Sequence, residues 1–168
     1  MRHARFAATL VTVATAACAT GPEPERQSTG DTGVPVNAVD IETEEILSSA
    51  WSGVSDHRRT VIRSSPEWLA LWEEAHATVI PRPDPPEVDF TREMVLVAAM
   101  GGRPTGGYSI SIPTVKREGG EAYAVVETVS PGPTCFTTQA FTAPVVALRV
   151  PLLEGPVHWI ESETRREC

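Results

Sequence analysis

The sequence predicts a mainly β domain, either a β-sandwich or a partly open antiparallel barrel, with one covering α-helix. An α+β arrangement is the alternative. Three observations lead there. Short stretches with period-two alternation recur along the chain, separated by Pro/Gly turns. Only one stretch carries apolar residues at helical spacing. The run Met94–Met100 is apolar throughout, as expected of a central strand covered on both faces. A length of 168 residues favours one domain plus terminal extras.

Residues 1–17 read as a signal peptide. Arg2, His3 and Arg5 give a basic start, Phe6 to Val13 are mostly apolar, and small residues follow from Ala14 to Ala17. This apolar stretch falls short of the roughly 20 residues that a permanent membrane helix needs. Residues 18–40 are dominated by Pro, Glu, Ser, Thr and Gly. They bury too little surface to offset ordering entropy and are predicted to form a flexible tether.

The domain is predicted over 41–168. Its first strands are Glu45–Ser48 and Thr60–Arg63. The helix follows, with Ser65 as N-cap, Pro66 at the first helical position and Glu67 in the first turn. Trp68, Leu71, Trp72 and Ala75 share one face, and core packing accounts for the two tryptophans better than a ligand platform. After the Pro81–Pro86 loop come Met94–Met100, Tyr108–Val115, Ala122–Val129, Val145–Val150 and Val157–Glu161. Gly119-Gly120 turns the second of these into the third as an antiparallel hairpin. Pro131 to Pro133 are assigned to a loop because proline cannot donate to a sheet ladder. No internal repeat is present.

Composition removes several function classes. The chain has 14 basic and 22 acidic residues, net −8; without Arg2 and Arg5 the remainder has 12 against 22, net −10. Such a field repels nucleic acid, whose binding rests on Lys/Arg contacts to phosphate. The glycine-rich stretch after Met100 has P-loop spacing from Gly101 to Gly106. Gly107 and Tyr108, however, stand where Lys and Ser/Thr are required, and a strand pattern follows instead of a helix. No Gly-x-Ser-x-Gly elbow occurs. His57, His76 and His158 lie far apart with no metal-ligand spacing, and His76 suits a helix C-terminus as a dipole partner. Asp84, Glu87 and Asp89 lie in a proline-stiffened loop that lacks the glycine turn of a calcium site and read as solvated. No cofactor, metal or catalytic residue is predicted, and the reading is non-enzymatic.

Setting Cys18 aside, Cys135 and Cys168 form an even pair in an exported chain, and an oxidising compartment favours their bridging. The bridge would close a loop of about thirty residues, stabilise by roughly 3–4 kcal/mol and hold the C-terminus. A Cys135 nucleophile with His158 as base is the alternative; neither residue sits in a local motif.

What remains is a loop on a β scaffold, the usual place for binding. Arg103, Pro104, Thr105, Gly106, Gly107 and Tyr108 form the candidate interaction loop. Arg103 is a planar donor and Tyr108 an amphipathic ring, both favoured at interfaces. A tight connection whose glycines are purely conformational is the other reading.

Two resemblances add to this. Ala16-Ala17-Cys18 after a short apolar run resembles the lipobox of bacterial lipoproteins, with Thr15 where Leu is usual. That implies lipidation at Cys18 and a membrane-anchored protein of the bacterial cell envelope, held by its lipid alone. Conventional cleavage after Ala14-Thr15-Ala16 stays open. The second resemblance rests on Val88 to Val95, Met100 to Tyr108, Ser130 to Cys135 and Thr142-Ala143-Pro144, with Ser52-Gly53, Val61-Ile62 and the tryptophan helix upstream. Together these are similar to the C-terminal domain of the PrcB family, over roughly Gly53 to Cys168. The resemblance implies an exported accessory protein. The family's founding member is a lipoprotein associated with a subtilisin-like protease complex, so the implied partner is a protein, in one form an exported protease. The family brings no catalytic residues. Arg103 to Tyr108 also resembles the Asn-Pro-Thr-Thr-Gly-Tyr loop of chagasin-like protease inhibitors, with Arg103 and Gly106 departing from it. Inhibition is the alternative function.

Overall fold

A computed structural model describes residues 33–168. The expected signal peptide, Cys18 and residues 19–32 lie outside the described residues. The elements are β1 (Val39–Asp40), β2 (Glu44–Ser49), β3 (His57–Ile62), α1 (Ser65–Ala75), β4 (Glu93–Met100), β5 (Ser109–Glu118), β6 (Glu121–Pro131), β7 (Val145–Pro151) and β8 (Val157–Arg166). They form two four-stranded sheets, β1-β5-β6-β8 and β2-β7-β4-β3. This is a sandwich rather than a barrel, with α1 as a third layer.

Strand β4 organises the layers. Met94, Leu96, Ala98 and Met100 point between the sheets, where they meet Ile110, Ile112 and Val115 of β5. Val95, Val97 and Ala99 point the other way, onto Trp68, Leu71, Trp72 and Ala75 of α1. Alternation sends successive side chains to opposite faces, so a strand covered on both sides must be apolar at every position. Trp68 and Trp72 are 3% and 7% exposed and their ring centroids lie 5.4 Å apart. They are core residues. Truncating a buried indole typically costs about 3–5 kcal/mol. Each indole N–H also finds a carbonyl in the Pro-rich segment, Trp68 Nε1 donating to Pro86 O (3.0 Å) and Trp72 Nε1 to Pro83 O (2.8 Å). The loop predicted from its prolines thus lies along the helix.

Several local expectations are corrected. Ser64, not Ser65, is the N-cap, which places Pro66 at the second helical position. The Ser64 hydroxyl donates to Glu67 Oε2 (2.7 Å) rather than capping a backbone amide. Strand β3 starts earlier than expected and ends before Arg63. Pro131 is the last residue of β6, a terminal position that requires no donated ladder bond. Pro113 lies inside β5, where the β5–β6 register shifts between Ser111 and Thr114. Two residues there oppose one, so the proline sits in a bulge where no amide is needed.

Two features of the topology were not expected. β8 pairs with β6 in parallel, from Ala122↔Val157 to Pro131↔Arg166, and continues five residues past Glu161. The chain reaches it by crossing from β6 into β7 of the other sheet and back, and such an excursion is what parallel neighbours need. The sheet also begins before Ile41. Val39 and Asp40, within the expected tether, pair with Arg117 and Lys116 of β5. The hairpin at Gly119-Gly120 forms as predicted.

Candidate functional site

One end of the sandwich gathers the loops that precede or follow strand ends. β2, β4, β6 and β8 finish there, and β3, β5 and β7 begin there. The candidate loop 101–108 carries the chain from β4 to β5, from one sheet into the other. Gly101 has φ +76°, and a Cβ on it would stand 2.8 Å from His57 N. A side chain is therefore excluded twice, by conformation and by the neighbouring backbone. Gly102 N donates to Ser55 O (2.9 Å).

The loop is bonded closely to residues 132–144. Arg103 and Thr142 form an antiparallel bridge, with Arg103 N donating to Thr142 O (2.7 Å) and Thr142 N to Arg103 O (3.0 Å). Thr142 Oγ1 donates to Thr105 O (2.8 Å), and Gly106 N to Thr138 O (2.9 Å). Arg103 itself turns inward. Its Nη2 donates to Met100 O (3.0 Å) and its guanidinium lies 5.6 Å over the Tyr108 ring, while its buried Nε has no hydrogen-bond partner. Arg103, Thr105 and Tyr108 are half-buried, Gly106 is buried, and Pro104 and Gly107 face solvent. The residues selected as contacts thus mostly fasten the loop.

Side chains that the sequence reading passed over reach solvent instead. Phe136 is fully exposed and Phe141 is 84% exposed, both on the segment packed against the candidate loop. Trp51, 55% exposed, is bridged to Ala143, two residues after Phe141. Their mounting is firm. Cys135 is bonded to Cys168, Cys135 N donates to Gly132 O (3.1 Å), and Gly132 N donates to Arg166 O (2.9 Å). The available signal was two phenylalanines between Pro133 and Pro144, in a stretch with no strand period and a cysteine at its head.

The disulfide removes the nucleophile alternative, since Cys135 carries no thiol. His158 moreover lies at the opposite end of β8, near the start of β6. Its ring stacks on Tyr123 at 4.8 Å, and its Nε2 meets Glu121 Oε2 at 2.9 Å. Glu121 also accepts from Tyr123 Oη (3.1 Å). The His158 contact and then the Tyr123 contact hold the Glu121 carboxyl below its ordinary range. His76 caps α1, its Nδ1 donating to Trp72 O (3.0 Å). His57 opens β3. The three histidines occupy separate places, and no metal-holding group of His, Cys, Asp or Glu forms among the described residues. Asp84, Glu87 and Asp89 are exposed. Asp89 caps a turn, accepting from Thr91 Oγ1 (2.6 Å) and Thr91 N (3.0 Å), bonds that lower its carboxyl pKa. No helix among the described residues is long and apolar enough to cross a membrane.

Residues 94–151, from β4 to the end of β7, match the family model described as PrcB C-terminal. The resemblance read from the glycine-rich loop and from the Ser130 to Pro144 region is borne out over those residues. The tryptophan helix and Cys168 lie outside the matched span. No curated protein and no solved structure gives a match.

Proposed function

We propose that this chain is an exported, non-enzymatic accessory lipoprotein, anchored through Cys18, which binds a protein partner in the bacterial cell envelope, a protease-complex subunit being its form. The PrcB C-terminal match supports the accessory role. The observation that carries the binding is the exposure of Phe136 and Phe141 on a disulfide-fastened loop. Exposed aromatic rings on a rigid mount combine large contact area with little ordering cost, the profile of an interface anchor. The contact expected at Arg103 and Tyr108 shifts to the neighbouring segment, with 101–108 as its support.

The experiment is a cross-linked pulldown of the full chain from native envelope. Recovery of a protein partner is expected, with loss of at least about tenfold in Phe136→Ser/Phe141→Ser, since an aromatic hot spot contributes roughly 2 kcal/mol or more. Equal recovery by that double variant would reject the loop end as the contact. The mass of the recovered N-terminus reads the anchor: a diacylglyceryl-modified Cys18 is expected, and an unmodified terminus elsewhere refutes it.

A further inference from the structure

We infer that the outer edge of β3, with the groove between it and α1, receives an extended segment of a partner protein as an added strand. The segment would place a small aliphatic side chain in the groove and lysine or arginine side chains on its other face. The inference is independent of the loop end described above.

The orientation of the β3 backbone follows from one bond. Met100 N donates to Pro144 O, so Met100 turns its ladder groups toward β7. Its cross-strand neighbour His57 is therefore in a non-hydrogen-bonded pair. Alternation then assigns Arg58, Thr60 and Ile62 to the ladder with β4, and His57, Arg59 and Val61 present N–H and C=O outward. Among the described residues no strand pairs with that edge, which ends its sheet.

The other edges are defended in ways that natural sheets use. β1 is two residues long, β2 is irregular between Glu45 and Leu47, and β8 carries charges along most of its second half. β3 has an unbroken register over six residues. Its two arginines, which would otherwise guard it, are drawn aside. Arg58 pairs with Glu74 of α1 (2.8 and 2.9 Å), and Arg59 pairs with Glu161 of β8 (2.7 and 2.8 Å).

Beside the edge is a groove of about 230 Å³ with Thr60, Ile62, Val97, Ala70 and Leu71 along it. Ala70 is exposed and small, and it leaves the groove open on the helix side. An added strand uses such an arrangement fully, since ladder bonds give affinity and a pocket for alternate side chains gives specificity.

Charge selects the occupant. Glu67 and Glu74 rim the groove, and Glu161 and Glu163 stand on the sandwich side, four carboxylates against Arg58, Arg59 and Arg103. The chain as a whole is −8, and its 18–40 segment is also acidic. A second copy and the chain's own tether are both repelled, whereas a cationic extended segment is attracted.

The test uses the isotopically labelled full chain and a fluorescent nonapeptide of alternating lysine and valine. A strand paired antiparallel with β3 points its valines at the groove and turns its lysine amides to His57, Arg59 and Val61. Saturating peptide should protect those three amides from exchange. Methylating the lysine amides should weaken binding at least about tenfold, while methylating the valine amides should change it by no more than about twofold. Ala70→Trp, with unchanged melting, should also weaken binding at least about tenfold by filling the groove. Equal binding of the two methylated peptides, or no binding at millimolar peptide, would overturn the inference. Protection of the same amides without peptide would overturn the choice of occupant, in favour of a second copy if it grows with concentration and of the tether if it does not.

Discussion

Arg59 shows how one side chain closes the sandwich. Its guanidinium is 11% exposed and bonds Glu161 through two nitrogens while donating to Arg58 O (2.8 Å) and Ala99 O (3.0 Å). It thereby joins the edge of one sheet to the edge of the other. The bond from Arg59 holds the Glu161 carboxyl below its usual range, and burial opposes this only partly. A depressed carboxylate stabilises the fold above its ordinary pKa, and that contribution is lost as pH falls through the depressed value. Glu161→Gln should destabilise by about 1–2 kcal/mol at neutral pH, a figure reduced for the solvent exposure of the carboxylate. The gap from the parent chain should narrow below about pH 4. Denaturant melts across that range check both statements; a gap independent of pH would assign the loss to shape alone.

Among the elements, β8 depends most on partners distant in sequence. It lies at a sheet edge, pairs in parallel with β6 and ends two residues before Cys168. The Cys135–Cys168 bridge therefore fixes both the end of β8 and the loop that carries Phe136. Cys168→Ser should lower stability by about 3–4 kcal/mol. It should also raise amide exchange at Glu163 to Arg166 ahead of global unfolding, because a released strand end frays first. Unchanged melting and exchange would mean that β6 pairing alone holds the segment. Helix α1 behaves differently, since its apolar stripe and its position against β4 are both local properties of the sequence.

At the scale of the molecule, legibility divides along the same line. Met94–Met100 reads as a doubly covered strand because burial on both faces leaves no polar position, and the Trp68/Trp72 face reads as core because helical spacing is short-range. The parallel pairing of β8 was not legible: its second half, from Ser162 to Arg166, is polar and charged, and backbone pairing leaves no mark on composition. The tether boundary was misplaced for a related reason, since a two-residue strand has no period. At the candidate site, the glycines located the loop correctly. They could not show that Arg103 would be spent on Met100 O and Tyr108, because that depends on how two sheets bring β4, β5 and the Pro144 segment together.

The first described residues give the fold a mechanical property. A Cβ on Gly33 would touch Ile160 on the outer side of β8 at 3.8 Å, Val34 and Pro35 are buried, and Val39 and Asp40 join β5 at the far side of the same sheet. This stretch thus crosses the sheet as a strap. Tension along the N-terminal segment meets the strap before either core. It peels residues away one after another, whereas the sandwich would have to yield many bonds at once. Pulling on the N-terminus should release roughly 25 Å of chain in a low-force step before the domain ruptures. A single rupture without that step would show that the strap and the sandwich yield together. If Cys18 carries the proposed lipid, such a strap would absorb small displacements of that anchor while the domain stays folded.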